Sequence, residues 1–172
     1  GTYYGVYILS ERVRQGANRL NIPKPGNTGD ELTGGYHVEV DRDDEVVYTS
    51  NYNPQYSWGA SMINKKISFQ YKYPEFGDLT NEQKVYLHGQ INKFENSLAA
   101  SNYQDKQEGY RKYLDVTSFI DYMLSTEFAR NVDGYRLSTN LYKHRDSVDP
   151  RFKMSLWDFN LGFGNANYND GW

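Results

Sequence analysis

Apolar and polar positions alternate along residues 67–73, I-S-F-Q-Y-K-Y, which puts Ile67, Phe69, Tyr71 and Tyr73 on one face and Ser68, Gln70 and Lys72 on the other. A period of two marks a strand with one face against a core. Residues 3–11, 36–40 and 46–48, rich in Tyr, Val and Ile, predict further strands. Between the first two, residues 18–35 hold two prolines and four glycines, the composition of a loop. An acidic turn, Asp41-Arg42-Asp43-Asp44-Glu45, separates the strands at 36–40 and 46–48. The first third of the chain is therefore mostly β.

The period then lengthens. Thr80-Asn81-Glu82-Gln83 is a capping-box pattern, and Leu87, Ile91, Phe94 and Leu98 follow at spacings of 4, 3 and 4, one buried stripe of a helix. A second helix is predicted from about residue 115 to 130, capped by Asp115 or Thr117, with Val116, Phe119, Ile120, Met123, Leu124 and Phe128 on its inner face. Residues 137–142 and 152–157 are short strands joined by the polar linker at 144–150, which together read as a hairpin. The pattern as a whole predicts an α+β fold: a β-rich N-terminal part, two helices, then a hairpin.

Composition narrows the class. With 172 residues the chain fits one domain, 1–172. Mean hydropathy is low at −0.86, yet aromatics reach 16%, which excludes a disordered chain. The 19 Lys and Arg against 22 Asp and Glu leave a net charge of −3, so bulk electrostatics predicts neither nucleic-acid nor membrane binding. No apolar run approaches a membrane span. The absence of cysteine removes thiol catalysis, disulfides and Cys-ligated zinc. The chain opens without Met on a strand-like segment and closes just after a cluster of glycines, so it is expected to be a fragment lacking flanks at both ends.

The hairpin carries the candidate chemistry. Asp133 stands just before it and Asp158 just after it, and a hairpin brings its two ends together. A single Asp at a helix end is ordinarily a turn residue; two of them at the ends of one hairpin are an arrangement that phosphoryl transfer uses. There one carboxylate orients the attacking hydroxyl and another holds the Mg2+ that bridges the phosphates. Protein kinases place those two acids at opposite ends of such a hairpin, and Asp158-Phe159 with glycine nearby echoes the metal-binding segment.

The segments G-V-Y-I-L-S-E (5–11), L-T-G-G-Y-H-V-E-V-D (32–41), F-I-D-Y (119–122), E-F-A-R-N-V-D (127–133) and W-D-F-N-L-G-F-G (157–164) resemble, in this order, the CotH kinase family, named for a spore-coat protein. The resemblance runs over nearly the whole chain. It implies an atypical protein-kinase-like fold, ATP with Mg2+ or Mn2+, transfer to Ser or Thr of a protein substrate, and a place outside the cytoplasm or at the cell surface, secreted or in a coat. By the family pattern the catalytic carboxylate falls on Asp133, with Asn131 shaping its loop, and the metal ligand on Asp158. Two positions depart from the pattern. The second acid of the family's Trp-Asp-Phe-Asp motif is Asn160, and the Asn that kinases place five residues after the catalytic Asp is Ser138; both stay secondary metal candidates.

A cation for the phosphates is sought among Arg12, Arg19, Lys24, Lys65 and Lys66, with Glu11 as the orienting acid. Glu11, Arg19 and Trp157 are the nucleotide-binding candidates. Neither glycine cluster has phosphate-loop spacing, and His37, His88 and His144 are too scattered for zinc. A second reading rests on Tyr48, Tyr52, Tyr56, Tyr71 and Tyr73: clustered aromatics can make a glycan-stacking or adhesive surface on a kinase-like scaffold that no longer turns over ATP.

Overall fold

The computed structural model describes residues 1–5, 11–42, 47–52 and 66–166. Its elements run α1 (Gly29–Leu32), β1 (Tyr36–Val40), β2 (Val47–Thr49), β3 (Ser68–Tyr73), α2 (Asn81–Ala99), α3 (Val116–Ala129), β4 (Thr139–Lys143) and β5 (Phe152–Ser155). The strands form one antiparallel sheet in the order β2-β3-β1-β4-β5. Among the described residues the fold is mixed α and β, with a five-stranded antiparallel sheet and three α-helices. No helix among the described residues is long and apolar enough to cross a membrane.

The five strands fall at or within about two residues of the segments predicted at 36–40, 46–48, 67–73, 137–142 and 152–157, and the predicted 18–35 loop holds the single turn of α1 and an isolated bridge at Leu20. The strand expected at 3–11 differs: residues 3–5 are not in a strand, and 6–10 lie outside the described residues. Alternation sorts the two faces of the sheet. Tyr36, Val38, Phe69, Tyr71 and Leu141 join Leu87, Ile91 and Phe94 of α2 in one buried cluster. Phe94 meets the rings of Phe119 and Phe152, which ties α2 to α3 and to β5. Helix α2 begins at the predicted capping box, with the Thr80 hydroxyl accepting from Gln83 N and the Gln83 side chain accepting from Thr80 N.

Both faces of β3 are buried at its start, Ser68 and Gln70 as well as Phe69 and Tyr71. Glu39 of β1 pairs in register with Gln70 of β3 and Asn140 of β4, a polar row across the sheet. Where Val38 pairs with Tyr71 and His37 with Tyr73, the register skips Lys72, a bulge. Bulges bend a strand and re-aim a side chain.

Helix α3 corrects its predicted inner face. Tyr122, Thr126 and Ala129 are buried, while Ile120, Met123, Leu124 and, at 81% exposure, Phe128 face outward. The reason lies in the turn that follows. The Tyr122 hydroxyl accepts from Tyr135 N and meets Thr139 Oγ1, and Gly134 lies close against Thr126. The Tyr122 hydroxyl bonds that turn and the small Thr126 lets Gly134 come close, and apolar period alone sees neither.

Candidate functional site

Helix α3 ends with Arg130 in the left-handed conformation, and Asn131 N bonds back to Thr126 O at 3.0 Å, a Schellman closure. The chain turns through 131–137 into β4, and β5 returns it to Asp158. All five non-glycine residues of positive φ among those described, Arg130, Tyr135, Ser138, Asp158 and Phe163, sit in these two loops. Such conformations cost free energy and concentrate where surrounding contacts impose a geometry.

Asn131 is buried and its amide joins the loops: Nδ2 donates to Asp158 O at 3.3 Å, and Oδ1 accepts from Asp133 N at 3.4 Å. Asn131, Asp133 and Asp158 are thereby brought together, 25 positions of sequence apart at the two acids. The Asp133 carboxylate pairs with Arg136 Nη2 at 2.8 Å. The Asp158 carboxylate accepts from Ser138 Oγ at 3.2 Å.

A third acid, absent from the sequence-based set, meets the same serine. Asp41, one residue past β1, accepts at Oδ2 from Ser138 N at 3.2 Å and lies 3.4 Å from Ser138 Oγ. One hydroxyl carries one proton and can satisfy one carboxylate at a time. Two carboxylates and a hydroxyl are hard oxygen donors, suited to Mg2+ or Mn2+ rather than to a soft metal. No group of three or more His, Cys, Asp or Glu with metal-ligand geometry occurs among the described residues. Asn160 is exposed, its carbonyl accepts from Asn165 Nδ2 at 2.7 Å, and it shares no hydrogen bond with Asp41, Ser138 or Asp158.

The polar row leads away from this acid pair across the sheet. Glu39, almost fully buried, pairs through Oε2 with Lys72 Nζ at 3.1 Å, the lysine re-aimed by the bulge. Its Oε1 accepts from Asn140 Nδ2, also at 3.1 Å. Asn140 Oδ1 lies 2.7 Å from His37 Nε2, and burial pushes the His37 pKa down to about 4. Glu39 and Lys72 thus form an acid-oriented cation, on other residues than the predicted Glu11 and Arg19. The signal was present in the alternation, which set Lys72 and Gln70 on one face and His37 and Glu39 on another; what sequence did not supply was that the two faces are the same side of one sheet.

The predicted nucleotide contacts share no hydrogen bond or ion pair with this row. Arg19 pairs with Glu11, both exposed, and donates to the neighbouring Asn18 carbonyl. Arg12, Lys24 and Lys66 are exposed, and Lys65 lies outside the described residues. Trp157 lines an apolar groove with Ser125, Phe128, Ala129, Leu156, Phe159 and Phe163. Of the tyrosines, Tyr71 is in the core, Tyr48 and Tyr73 are half-buried, Tyr52 bonds Asn96, and Tyr56 lies outside the described residues.

The described fold is thus a mixed one whose antiparallel sheet ends in a hairpin with an aspartate at each end, and whose polar side carries an ion pair between buried Glu39 and partly exposed Lys72. The family model for CotH kinase protein matches residues 1–172, and the chain belongs to the CotH kinase family. No curated protein and no solved structure gives a significant match.

Proposed function

We propose that the chain is an atypical protein kinase that transfers the γ-phosphoryl group of ATP to a Ser or Thr hydroxyl of a protein at a coat or cell surface. The observation that carries this reading is the Asn131 amide, bonded to the backbone of both Asp133 and Asp158, so that the two acids keep one spacing. Asp133 orients the attacking hydroxyl and accepts its proton, and Arg136 holds that carboxylate in place. Asp158, Asp41 and Ser138 would hold Mg2+ or Mn2+. When bound, the metal neutralises charge on the phosphates. Lys72, oriented by Glu39, supplies a second positive charge for them.

Membership of the CotH kinase family supports both the reaction class and the surface location. The test is label transfer from γ-labelled ATP with Mg2+ or Mn2+ by wild type, Asp133→Ala, Asp158→Ala and Asp41→Asn. Asp133→Ala is expected to abolish transfer at any metal concentration. Asp158→Ala should do the same, and Asp41→Asn should raise the metal concentration needed for half-maximal rate. Wild-type label no greater than that of Asp133→Ala would remove the kinase reading.

A further inference from the structure

We propose that Asn140 is a positioning residue that locks the Glu39–Lys72 pair and the Ser138–Asp158 loop into one fixed relation, with His37 setting the orientation of its amide. The proposal rests on the kinase reading for its functional meaning, while the coupling it describes stands on geometry. Asn140 is 1% exposed and sits in β4 opposite Glu39 of β1 and Ser155 of β5. Its Nδ2 donates to Glu39 Oε1 and to Ser138 O, each at 3.1 Å. Among the described residues it is the one side chain hydrogen-bonded both to Glu39 and to Ser138.

The amide cannot turn over. A carboxylate and a backbone carbonyl both only accept, so the NH2 group must face them and Oδ1 must face His37. That assigns the proton of His37 to Nε2, which donates to Asn140 Oδ1 at 2.7 Å. His37 is 2% exposed, and its low pKa keeps the ring neutral near pH 7, with its single N–H committed to this contact.

From the amide, constraint runs both ways. On one side the Glu39 carboxylate is held at both oxygens, by Asn140 and by Lys72, so the direction of the lysine follows from the amide. On the other, Asn140 holds the carbonyl of Ser138, a residue at φ 49° whose N and Oγ reach Asp41 and Asp158. Cation and acid pair belong to different strands and loops. A fixed relation between them needs a rigid link, and this buried amide is that link.

The test measures ATP affinity of the full chain with Mg2+ and with EDTA, alongside melting temperature, for wild type, Asn140→Ala, His37→Leu and His37→Gln. Lys72→Ala and Asp158→Asn serve as references. Lys72→Ala should weaken ATP with or without metal, and Asp158→Asn should remove only the gain that metal brings. Asn140→Ala should do both, weakening ATP by about tenfold or more, the scale of a lost buried hydrogen bond to a charged partner. His37→Leu should move the same way, and His37→Gln, whose amide N–H can replace Nε2–H, should recover most of the loss. Asn140→Ala that lowers only the melting temperature, or His37→Gln as damaging as His37→Leu, would overturn the proposal.

A ligand-free readout separates this idea from the kinase reading. In NMR spectra without nucleotide, Asn140→Ala should shift the signals of both the Lys72 side chain and the Ser138 amide. If both shift although wild type binds no ATP, the coupling stands and the kinase reading falls. If only one shifts, the coupling falls.

Discussion

Gly134 follows Asp133 in the turn between α3 and β4, and a methyl group added there would lie 2.3 Å from Thr126 Cγ2 and 3.1 Å from Asn131 O. Carbon atoms in contact prefer about 3.5–4.0 Å, so the turn would have to lift from α3 by roughly an ångström. Thr126 has little room to yield, being fully buried on the helix with a β-branched side chain of few rotamers. Overpacking of this kind costs about 1–3 kcal/mol. Because the lifted residue adjoins Asp133, misplacement by about 1 Å should also lower turnover by about 10²-fold. Urea unfolding and label transfer measure the two effects for Gly134→Ala. Thr126→Ser, which deletes Cγ2 and keeps the hydroxyl, should return much of the stability in the double variant, a coupling that a four-member mutant cycle reads directly. Gly134→Ala as stable and active as wild type, or a double variant no more stable than the sum of the two single effects allows, would refute the close-approach argument.

Two further outcomes follow from packing and from charge. Tyr122→Phe removes the hydroxyl that accepts from Tyr135 N at 3.2 Å in a buried setting and should cost about 1–3 kcal/mol in chemical denaturation, whereas Phe128→Ser on the exposed side of the same helix should stay within about 0.5 kcal/mol; equal losses would mean that α3 is turned the other way. His37 has a folded pKa of about 4 against 6.5 for the free side chain, so below pH 6.5 the unfolded chain takes up a proton that the folded one refuses. Its contribution is present above pH 6.5 and lost as pH falls toward 4, by about 3 kcal/mol in all. Stability of His37→Gln should fall less steeply than wild type over that window, and identical acid limbs would count against a neutral buried imidazole.

How far the site could be read from sequence depends on how local its signals are. The hairpin, with an aspartate beyond each end, is legible because turn residues and strand runs are short-range signals and antiparallel pairing returns the chain toward its start. Asn131 is a loop-shaping candidate in the sequence, and in the structure its amide hydrogen-bonds Asp133 N and the Asp158 carbonyl. Lys72 was not found because its partner Glu39 lies on another strand and because a bulge, a one-residue irregularity without a sequence mark, aims it. In the sequence Asp41 belongs to an acidic turn; it reaches Ser138, 97 positions away, through the adjacency of β1 and β4. Helix α3 shows the opposite failure, since its apolar residues surround more of the helix than the core uses, and buried Thr126 and Ala129 carry no strong apolar signal.

The low mean hydropathy and the aromatic richness fit together once the sheet's two sides are separated. One side carries Tyr36, Val38, Phe69, Tyr71 and Leu141 against α2, which accounts for the core. The other carries His37, Glu39, Gln70 and Asn140, each buried and each hydrogen-bonded: to one another, to Lys72, to Ser138 and, for Gln70, to the Arg42 carbonyl. Burying charge and amide groups gives little net stability, and apolar residues of similar volume commonly serve as well or better. Stability therefore does not explain the polar row. What such a row supplies is direction, because each donor and acceptor accepts only some neighbours, and a one-residue slip of any of the three strands would turn that strand's members of the row to the opposite side. Register in β1, β3 and β4 is thus fixed twice, by the aromatic side through packing and by the polar side through hydrogen bonds, and the second constraint is the one that points Lys72 and the Ser138 loop.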